Sequence, residues 1–155
     1  AKDVNERIFG PVRESLKKLH KIGEEEDESK IEKVLEEKPI IKEETKDIIE
    51  NNLKLHTVER LFQLIVDTAV DINTHLIAES EFQIPDDYQS TFIILANNKI
   101  LPMDFALKIA PSVGLRNLVI HKYGRVDPKR MIDDIKKEIN QYLDYLKFID
   151  RFLKR

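Results

Sequence analysis

The sequence predicts an all-α protein, an antiparallel bundle of about four to six helices. Glycine and proline are scarce, with only 4 and 6 among 155 residues. Apolar residues recur every three or four positions over long stretches, which is the spacing of a buried helix face. Start and stop signals divide these stretches into segments with short connections, as in helical bundles. A chain of this length suits a single domain spanning residues 1–155.

Composition restricts the classes of function. The 26 basic and 29 acidic residues give a net charge of −3, so any nucleic-acid binding must use a local basic patch. The absence of cysteine excludes disulfides, thiolate catalysis and cysteine-based zinc sites. No secretory signal is recognisable, and no apolar run approaches the roughly 20 residues of a membrane span. The expectation is a soluble cytoplasmic protein without membrane association.

The first third of the chain predicts two helical pieces. Residues 4–22 carry an apolar face, and Gly10-Pro11 within them predicts a kink or a late helix start. The acidic run at 23–29 predicts a solvated loop. A short helical piece then covers 31–38 and ends at Pro39.

The longest predicted helix runs from about Lys42 to Glu79, with a candidate break at Asn51-Asn52. Proline disfavours helix in the residue before it, so the segment containing Pro85 is expected to end this helix. The predicted buried stripe consists of Ile48, Leu53, Leu55, Val58, Leu61, Ile65, Ala69, Ile72 and Leu76.

Two short helices are expected next. Asp86 or Asp87 can cap a helix that includes Tyr88 and ends at Asn97-Asn98. Another helix follows Pro102 and runs through Ala110.

Two further helices complete the chain. Pro111-Ser112 opens one that ends before Gly124, a residue typical of the position after a helix. Asp127-Pro128 is a strong start signal for the last helix, which runs to the C-terminus. Its predicted apolar stripe is Ile132, Ile135, Ile139, Leu143, Leu146, Ile149 and Leu153.

The run RNLVIHKY, residues 116–123, concentrates polar residues on a short helix. Asn117 and His121 are four apart and share a face. Arg116 and His121 are five apart and diverge by roughly 140° on a straight helix. They can converge if His121 lies in a frayed last turn, or across a two-fold axis with one group from each subunit. Catalysis by this run therefore suggests a dimer.

These residue types suit RNA cleavage by the ribose 2′-hydroxyl. A histidine transfers protons near neutral pH, and an arginine stabilises charge on a phosphate. The alternative is an ordinary helix end with a capping histidine and a surface arginine. A local basic patch that a phosphate backbone could use lies close by, with Asp127 as its one acid: Lys122, Arg125, Lys129 and Arg130.

The run GLRNLVIHKYGRVD resembles the HEPN superfamily, and within it the HepT-like toxins of prokaryotic toxin–antitoxin pairs. The mark of that family is Arg, four residues, His, any residue and Tyr, often with Asn after the Arg. Arg116, Asn117, His121 and Tyr123 match it without departure. The likeness spans about residues 53–155, and the N-terminal third is similar only in helical character.

The resemblance implies a single HEPN-like helical domain that dimerises, with the motifs of both subunits lining one cleft. It implies a metal-independent endoribonuclease toxin without a cofactor, in which Arg116 steadies the phosphate, His121 is the general acid or base and Asn117 orients the site. It also implies an MNT-type nucleotidyltransferase antitoxin as partner, which can transfer AMP to Tyr123. The alternative is a non-catalytic partner or substrate scaffold for that nucleotidyltransferase, modified on Tyr123.

The remaining polar and aromatic residues have simpler interpretations. Asp67, Asp71, His75 and Glu79 fall four apart, a spacing that fits a self-paired or solvated face better than a metal site. Asp71 or His75 could instead face the motif and support it. His20 and His56 are interpreted as surface or satisfied residues. Core or dimer contacts are expected for Phe62, Phe92, Tyr142, Tyr145 and Phe148.

Overall fold

The computed structural model describes residues 42–121 and 126–154. Within those ranges the chain forms six α-helices and no strand, which confirms the predicted fold class. The helical pieces predicted at 4–22 and 31–38 lie outside the described residues. The helices are α1 (Thr45–Glu50), α2 (Asn52–Glu79), α3 (Ser90–Asn97), α4 (Met103–Ile109), α5 (Ser112–His121) and α6 (Pro128–Leu153).

The break between α1 and α2 lies at Asn51, as the sequence predicted. Asn51 has an extended backbone, and its side-chain oxygen accepts a hydrogen bond from the Lys54 N–H at 3.1 Å. An asparagine that caps the next helix in this way satisfies one of its unpaired first-turn donors. The segment 42–79 is therefore two helices rather than one.

The end of α2 confirms the predicted boundary near Glu79, but Pro85 is not what closes the helix. The helix stops at Glu79, and Glu81 adopts a left-handed backbone with φ 57°. Phe82 N–H donates to the Ile77 carbonyl at 3.1 Å, and Glu81 N–H donates to Ala78. This hydrogen-bond pattern is a Schellman motif, which satisfies the last carbonyls of the helix without a proline.

Helix α3 begins slightly later than predicted. The Asp87 carboxylate accepts from Ser90 N–H at 2.7 Å, and Ser90 Oγ accepts from Asp87 N–H at 3.2 Å. Asp87 thus accepts from the N–H of the first helical residue, but the N-cap position is occupied by Gln89, which makes no side-chain capping bond, and Tyr88 lies in the turn before the helix. At the other end Lys99 has φ 63° and closes a second Schellman motif.

Helix α6 starts as the Asp-Pro signal predicted. Pro128 occupies the first helical position, and the Asp127 carboxylate accepts from Lys129 N–H at 3.1 Å. The missing proline donor costs nothing at that position, because first-turn N–H groups have no partner within the helix.

The core lies around α2, which has Ile72 and Leu76 fully buried and Val58 nearly so. Each such side chain contributes about 1.5–3 kcal/mol through removal of apolar surface from water. Two members of the predicted stripes are wrong, since Leu53 is 78% exposed and Leu143 is 49% exposed. Leu53 lies in the first turn of α2, outside the part of the helix that enters the core. The α6 face near Leu143 is instead buried through Tyr142 and Tyr145.

Helix α5 packs against both α2 and α6. Its N-terminal Ser112 bonds Tyr142 of α6, with 2.6 Å between the hydroxyl oxygens, and both residues are buried. Val113 and Val119 extend into the core. These contacts fix α5, and with it the polar side chains on its outer side. No helix among the described residues is long and apolar enough to cross a membrane.

Candidate active site

Three of the four motif residues lie on α5. Arg116 is partly buried, Asn117 is exposed, and His121 is the exposed last residue of the helix. Tyr123 lies outside the described residues, as do Lys122, Gly124 and Arg125. The predicted helix therefore forms and carries Arg116, Asn117 and His121 together.

Arg116 is held by a carboxylate from the neighbouring helix. Its Nε donates to Asp67 Oδ1 at 2.8 Å, and its Nη2 donates to Asp67 Oδ2 at 3.2 Å. Its Nη1 also donates to Asn117 Oδ1 at 3.1 Å. The two-pronged ion pair fixes the plane of the guanidinium, which a single contact would leave free to rotate.

The guanidinium retains capacity for a ligand. An arginine has five N–H donors, and the contacts with Asp67 and Asn117 use three of them among the described residues. The Arg116 side chain is 25% exposed and that of Asp67 is 40% exposed, so water and a ligand can reach the pair. The arrangement presents an oriented cation at the surface, which suits an anionic oxygen.

His121 belongs to the same continuous helix. Because α5 is helical through His121, the frayed last turn that would turn His121 toward Arg116 is not observed. The two side chains therefore keep the divergence of roughly 140° expected for positions five apart. Asn117 lies between them: it shares a face with His121 and accepts a hydrogen bond from Arg116. Asn117 is thus the motif residue that contacts Arg116 and lies on the same helix face as His121.

Asp67 is the residue whose role sequence reasoning missed. The spacing placed it in a stripe with Asp71, His75 and Glu79, all three of which are exposed. Its partner is 49 positions away on α5, a distance in sequence that spacing within one helix cannot reveal. The available signal was indirect: a partly buried arginine requires a counter-charge, and Asp67 borders the buried face of α2.

Asp71 and His75 are the other α2 residues that were expected to support the motif. Asp71 lies one helical turn beyond Asp67, and His75 lies two turns beyond. The support role of Asp71 or His75 therefore stays a prediction. Among residues 42–121 and 126–154, no group of three or more histidine, aspartate or glutamate side chains could hold a metal ion.

The basic patch is only partly described. Lys129 and Arg130 are exposed in the first turn of α6, where the Asp127 cap fixes the direction in which the helix starts. Lys122 and Arg125 belong to the connection outside the described residues. An RNA-binding role for these four residues remains a prediction.

One buried tyrosine of α6, Tyr142, lies close behind the site. Burial raises the pKa of Tyr142 above its usual range; its hydrogen bond with Ser112 opposes this shift, and the nearby Glu138 and Asp67 carboxylates add to it. Tyr142 is therefore a neutral hydroxyl that ties α5 to α6 and lies within electrostatic reach of Asp67. The core role predicted for Tyr142 is confirmed.

Two curated proteins that the chain is similar to are both named HepT nucleases. The chain is 37% identical over 95 residues to a tRNA nuclease HepT of Aphanizomenon flos-aquae, covering 61% of this chain and 65% of that protein. It is 26% identical over 89 residues to an mRNA nuclease HepT of Shewanella oneidensis, covering 57% and 64%. The alignments thus span less than two thirds of the length of these curated relatives.

A solved structure of a known toxin matches the fold of the chain. It is a tri-AMPylated HEPN toxin of Shewanella oneidensis in complex with an MNT antitoxin, with a TM-score of 0.61 and 15% identity. The match covers 96% of this chain and 98% of that one, which confirms the HEPN-type helical architecture. The family model described as ribonuclease HepT-like matches residues 14–149. The chain therefore belongs to the ribonuclease HepT-like family.

Proposed function

We propose that the protein is the endoribonuclease toxin of a toxin–antitoxin pair and cleaves RNA without a metal ion. The observation that carries the proposal is Arg116, fixed by Asp67 and Asn117, with two N–H donors that no other residue of 42–121 or 126–154 engages. Membership of the ribonuclease HepT-like family supports the same reaction class, as do relatives that are named tRNA and mRNA nucleases.

The chemistry needs one proton acceptor, one proton donor and one cation. A neutral His121 imidazole takes the proton of a ribose 2′-hydroxyl, whose oxygen attacks the adjacent phosphorus. The bond from phosphorus to the 5′-oxygen breaks, and a protonated imidazole supplies the proton that this oxygen takes up. Arg116 binds the non-bridging oxygens, on which negative charge increases in the transition state. The products are a cyclic 2′,3′-phosphate and a free 5′-hydroxyl, so atoms and protons balance.

The geometry of α5 favours a site shared by two subunits. Within one subunit Arg116 and His121 diverge on a straight helix. A two-fold axis beside α5 would bring the His121 of one subunit toward the Arg116 and Asn117 of the other. Two histidines in one cleft would also provide both the base and the acid that the reaction requires.

The proposed partner is an MNT-type nucleotidyltransferase antitoxin. The structural neighbour is an AMPylated HEPN toxin bound to an MNT antitoxin, and the present chain has the same fold. Tyr123 follows His121 by two residues, so AMP attached to its hydroxyl would place a bulky anion beside the proposed cleft. That anion would compete with RNA phosphate for Arg116, which explains how modification could silence the nuclease.

The test is cleavage of RNA by the purified protein in excess chelator, beside the His121→Ala variant. General acid–base catalysis contributes about 100- to 10,000-fold, so the variant should lose at least about 100-fold in rate. An exposed arginine outside the site, Arg151→Ala, provides the control for an unrelated surface change. Helical content and thermal midpoint should match across the three proteins.

Two outcomes would contradict the mechanism. Equal cleavage by the wild type and His121→Ala would show that His121 is not required. No cleavage by the wild type would favour the second function, a scaffold for a nucleotidyltransferase that is modified on Tyr123. The net charge of −3 is the observation that favours this alternative, because RNA enzymes are usually more basic.

A further inference from the structure

A groove between α2 and α5 lies beside the motif helix and has no role in the mechanism above. Its volume is about 300 Å³, comparable with the space that a small planar ligand requires. We call it the α2–α5 groove. It is lined by His56, Glu59, Arg60, Gln63, Val119 and Ile120.

The groove continues from the candidate active site along α2. Helix α5 runs antiparallel to α2, because Arg116 meets Asp67 while Val119 and Ile120 meet the earlier segment 56–63. Arg60 precedes Asp67 by seven residues, which is about 10 Å along a helix. Ile120 directly precedes His121 in the sequence. A strand of RNA with its phosphate at Arg116 and His121 would therefore have a neighbouring nucleotide within reach of the groove.

The lining combines an apolar floor with planar polar groups. Val119 is buried and Ile120 is half-buried, so together they offer an apolar surface. The His56 imidazole and the Arg60 guanidinium are exposed, and flat groups of this kind stack on nucleobases. Gln63 adds an amide, which can donate and accept at the edge of a base. This combination is typical of sites that hold an unstacked base of single-stranded RNA.

The charges in the groove favour a base over an isolated phosphate. Glu59 lies 3.8 Å from His56 Nδ1, and its side chain is only 11% exposed. Its negative charge offsets the positive charge of Arg60, which would weaken the binding of a dianion. A neutral base with N–H donors gains from a carboxylate instead, since glutamate accepts from the exocyclic amine of cytosine.

We propose that the α2–α5 groove binds the nucleobase next to the cleaved bond and contributes to the choice of cleavage site. This proposal rests on the proposed ribonuclease function. In it Gln63 reads the base edge, His56 and Arg60 stack on the base, and Val119 with Ile120 form the apolar floor. Arg116 and His121 act on the phosphate, while the groove selects which phosphate reaches them.

The test compares Gln63→Ala and Arg60→Ala with Arg151→Ala. Arg151 is an exposed helical arginine near Phe148 of α6, in a different groove. Substrates are single-stranded RNAs that differ only in the bases flanking the cleaved bond. Loss of a good base contact costs about 10-fold or more in discrimination. We expect Gln63→Ala to reduce the ratio of kcat/KM between the best and worst bases about 10-fold, and Arg60→Ala to raise KM at nearly constant kcat. Arg151→Ala should change neither value.

A binding measurement separates failure of the groove from failure of the proposed function. The probe is a fluorescent oligonucleotide with a 2′-deoxy sugar at the cleaved position, which binds without reacting. Wild-type cleavage with unchanged preference in Gln63→Ala and Arg60→Ala would overturn the groove alone. If the wild type binds the oligonucleotide but does not cleave RNA, the proposed nuclease function is refuted. The groove proposal then still predicts that Arg60→Ala binds the oligonucleotide more weakly than the wild type. Neither binding nor cleavage would overturn both. If Gln63→Ala and Arg60→Ala bind RNA as the wild type does but bind the antitoxin more weakly, the groove is a protein-docking surface. That result would also overturn the proposal.

Discussion

Two polar clusters lie on different sides of α2 and differ in their contact with water. On one side Asn73 is fully buried, accepts from Tyr145 OH at 2.6 Å and donates to Thr91 Oγ1 at 3.1 Å. On the other side Asp67 and Arg116 form a two-pronged ion pair that remains partly exposed. Both clusters are well hydrogen-bonded, but only the second can be reached by a ligand.

This difference in exposure separates a cluster that stabilises the fold from a cluster that can contact a ligand. A buried polar group without a partner costs about 1–3 kcal/mol, so the Asn73 cluster must be complete for the fold to be stable. A partly exposed ion pair contributes at most about 1 kcal/mol, because water and salt screen it. The Asp67–Arg116 pair is therefore better explained by the orientation of Arg116 than by its contribution to stability.

The largest effect on stability is expected from Tyr145→Phe. Removal of the hydroxyl deprives Asn73 Oδ1 of its donor, and also breaks the 3.2 Å contact with the Ala69 carbonyl. The free energy of unfolding should fall by about 2 kcal/mol. Urea titration followed by circular dichroism measures this value. RNA cleavage per folded molecule should stay at the wild-type level.

Tyr88→Phe is the matched control for this prediction. Tyr88 is 67% exposed in the turn before α3, so loss of its hydroxyl should change stability by less than about 0.5 kcal/mol. Equal effects at positions 88 and 145 would contradict the role given to the buried cluster. A loss of RNA cleavage in fully folded Tyr145→Phe would show that the buried cluster also contributes to activity.

The next effect is expected from Asp67→Asn, and it concerns activity. The variant keeps the shape of the side chain but loses the charge that orients the Arg116 guanidinium. Misplacement of a catalytic group can cost up to about 100-fold, so we expect kcat to fall about 10-fold with a smaller change in KM. Stability should change by less than about 1 kcal/mol.

Asp67→Glu tests whether positioning is the cause. Glutamate restores the charge on a longer side chain, so it should recover part of the lost kcat. An Asp67→Asn variant with normal kcat would show that Arg116 does not depend on this partner. A large loss of stability would mean that the pair belongs with the structural cluster instead.

The smallest effect is expected at Glu138 on α6, and it depends on pH. Burial raises the pKa of this carboxyl to about 7; the nearby Lys137 opposes the shift and Asp134 adds to it. Because the folded-state value lies above the unfolded value, the stability contribution is present below about pH 4.5 and is lost as the pH rises through about 7. Glu138→Gln mimics the protonated form and should therefore gain stability relative to wild type over this interval.

The Glu138 residue is only partly buried, so the gain is expected to be only about 1 kcal/mol above pH 7. Thermal midpoints of wild type and Glu138→Gln at pH 5, 6, 7 and 8 measure it. A difference that stays constant over these values would show that the carboxyl does not titrate in this range. A difference that shrinks toward pH 8 would reverse the sign of the predicted effect.

The sequence by itself determined where the helices lie and which kinds of side chain the candidate site contains. Local rules were sufficient for the helix starts at Asn51 and Asp127, because a capping side chain acts on N–H groups only two or three residues away. The motif on α5 was visible because its members lie within eight consecutive residues. The ends of α2 at Glu79 and of α3 at Asn97 also agree with the sequence, although they are closed by left-handed backbones at Glu81 and Lys99, a conformation that usually favours glycine.

Only the tertiary structure decided which residues from different helices meet. Asp67 was identified from spacing as part of an acidic stripe, and the packing of α5 on α2 made it the partner of Arg116. The same packing formed the α2–α5 groove from two segments more than 50 positions apart. Helical periodicity states which face of a helix is apolar, but not which neighbour will cover that face. The contacts that orient Arg116 therefore depend on how the helices pack, which no short stretch of this chain specifies.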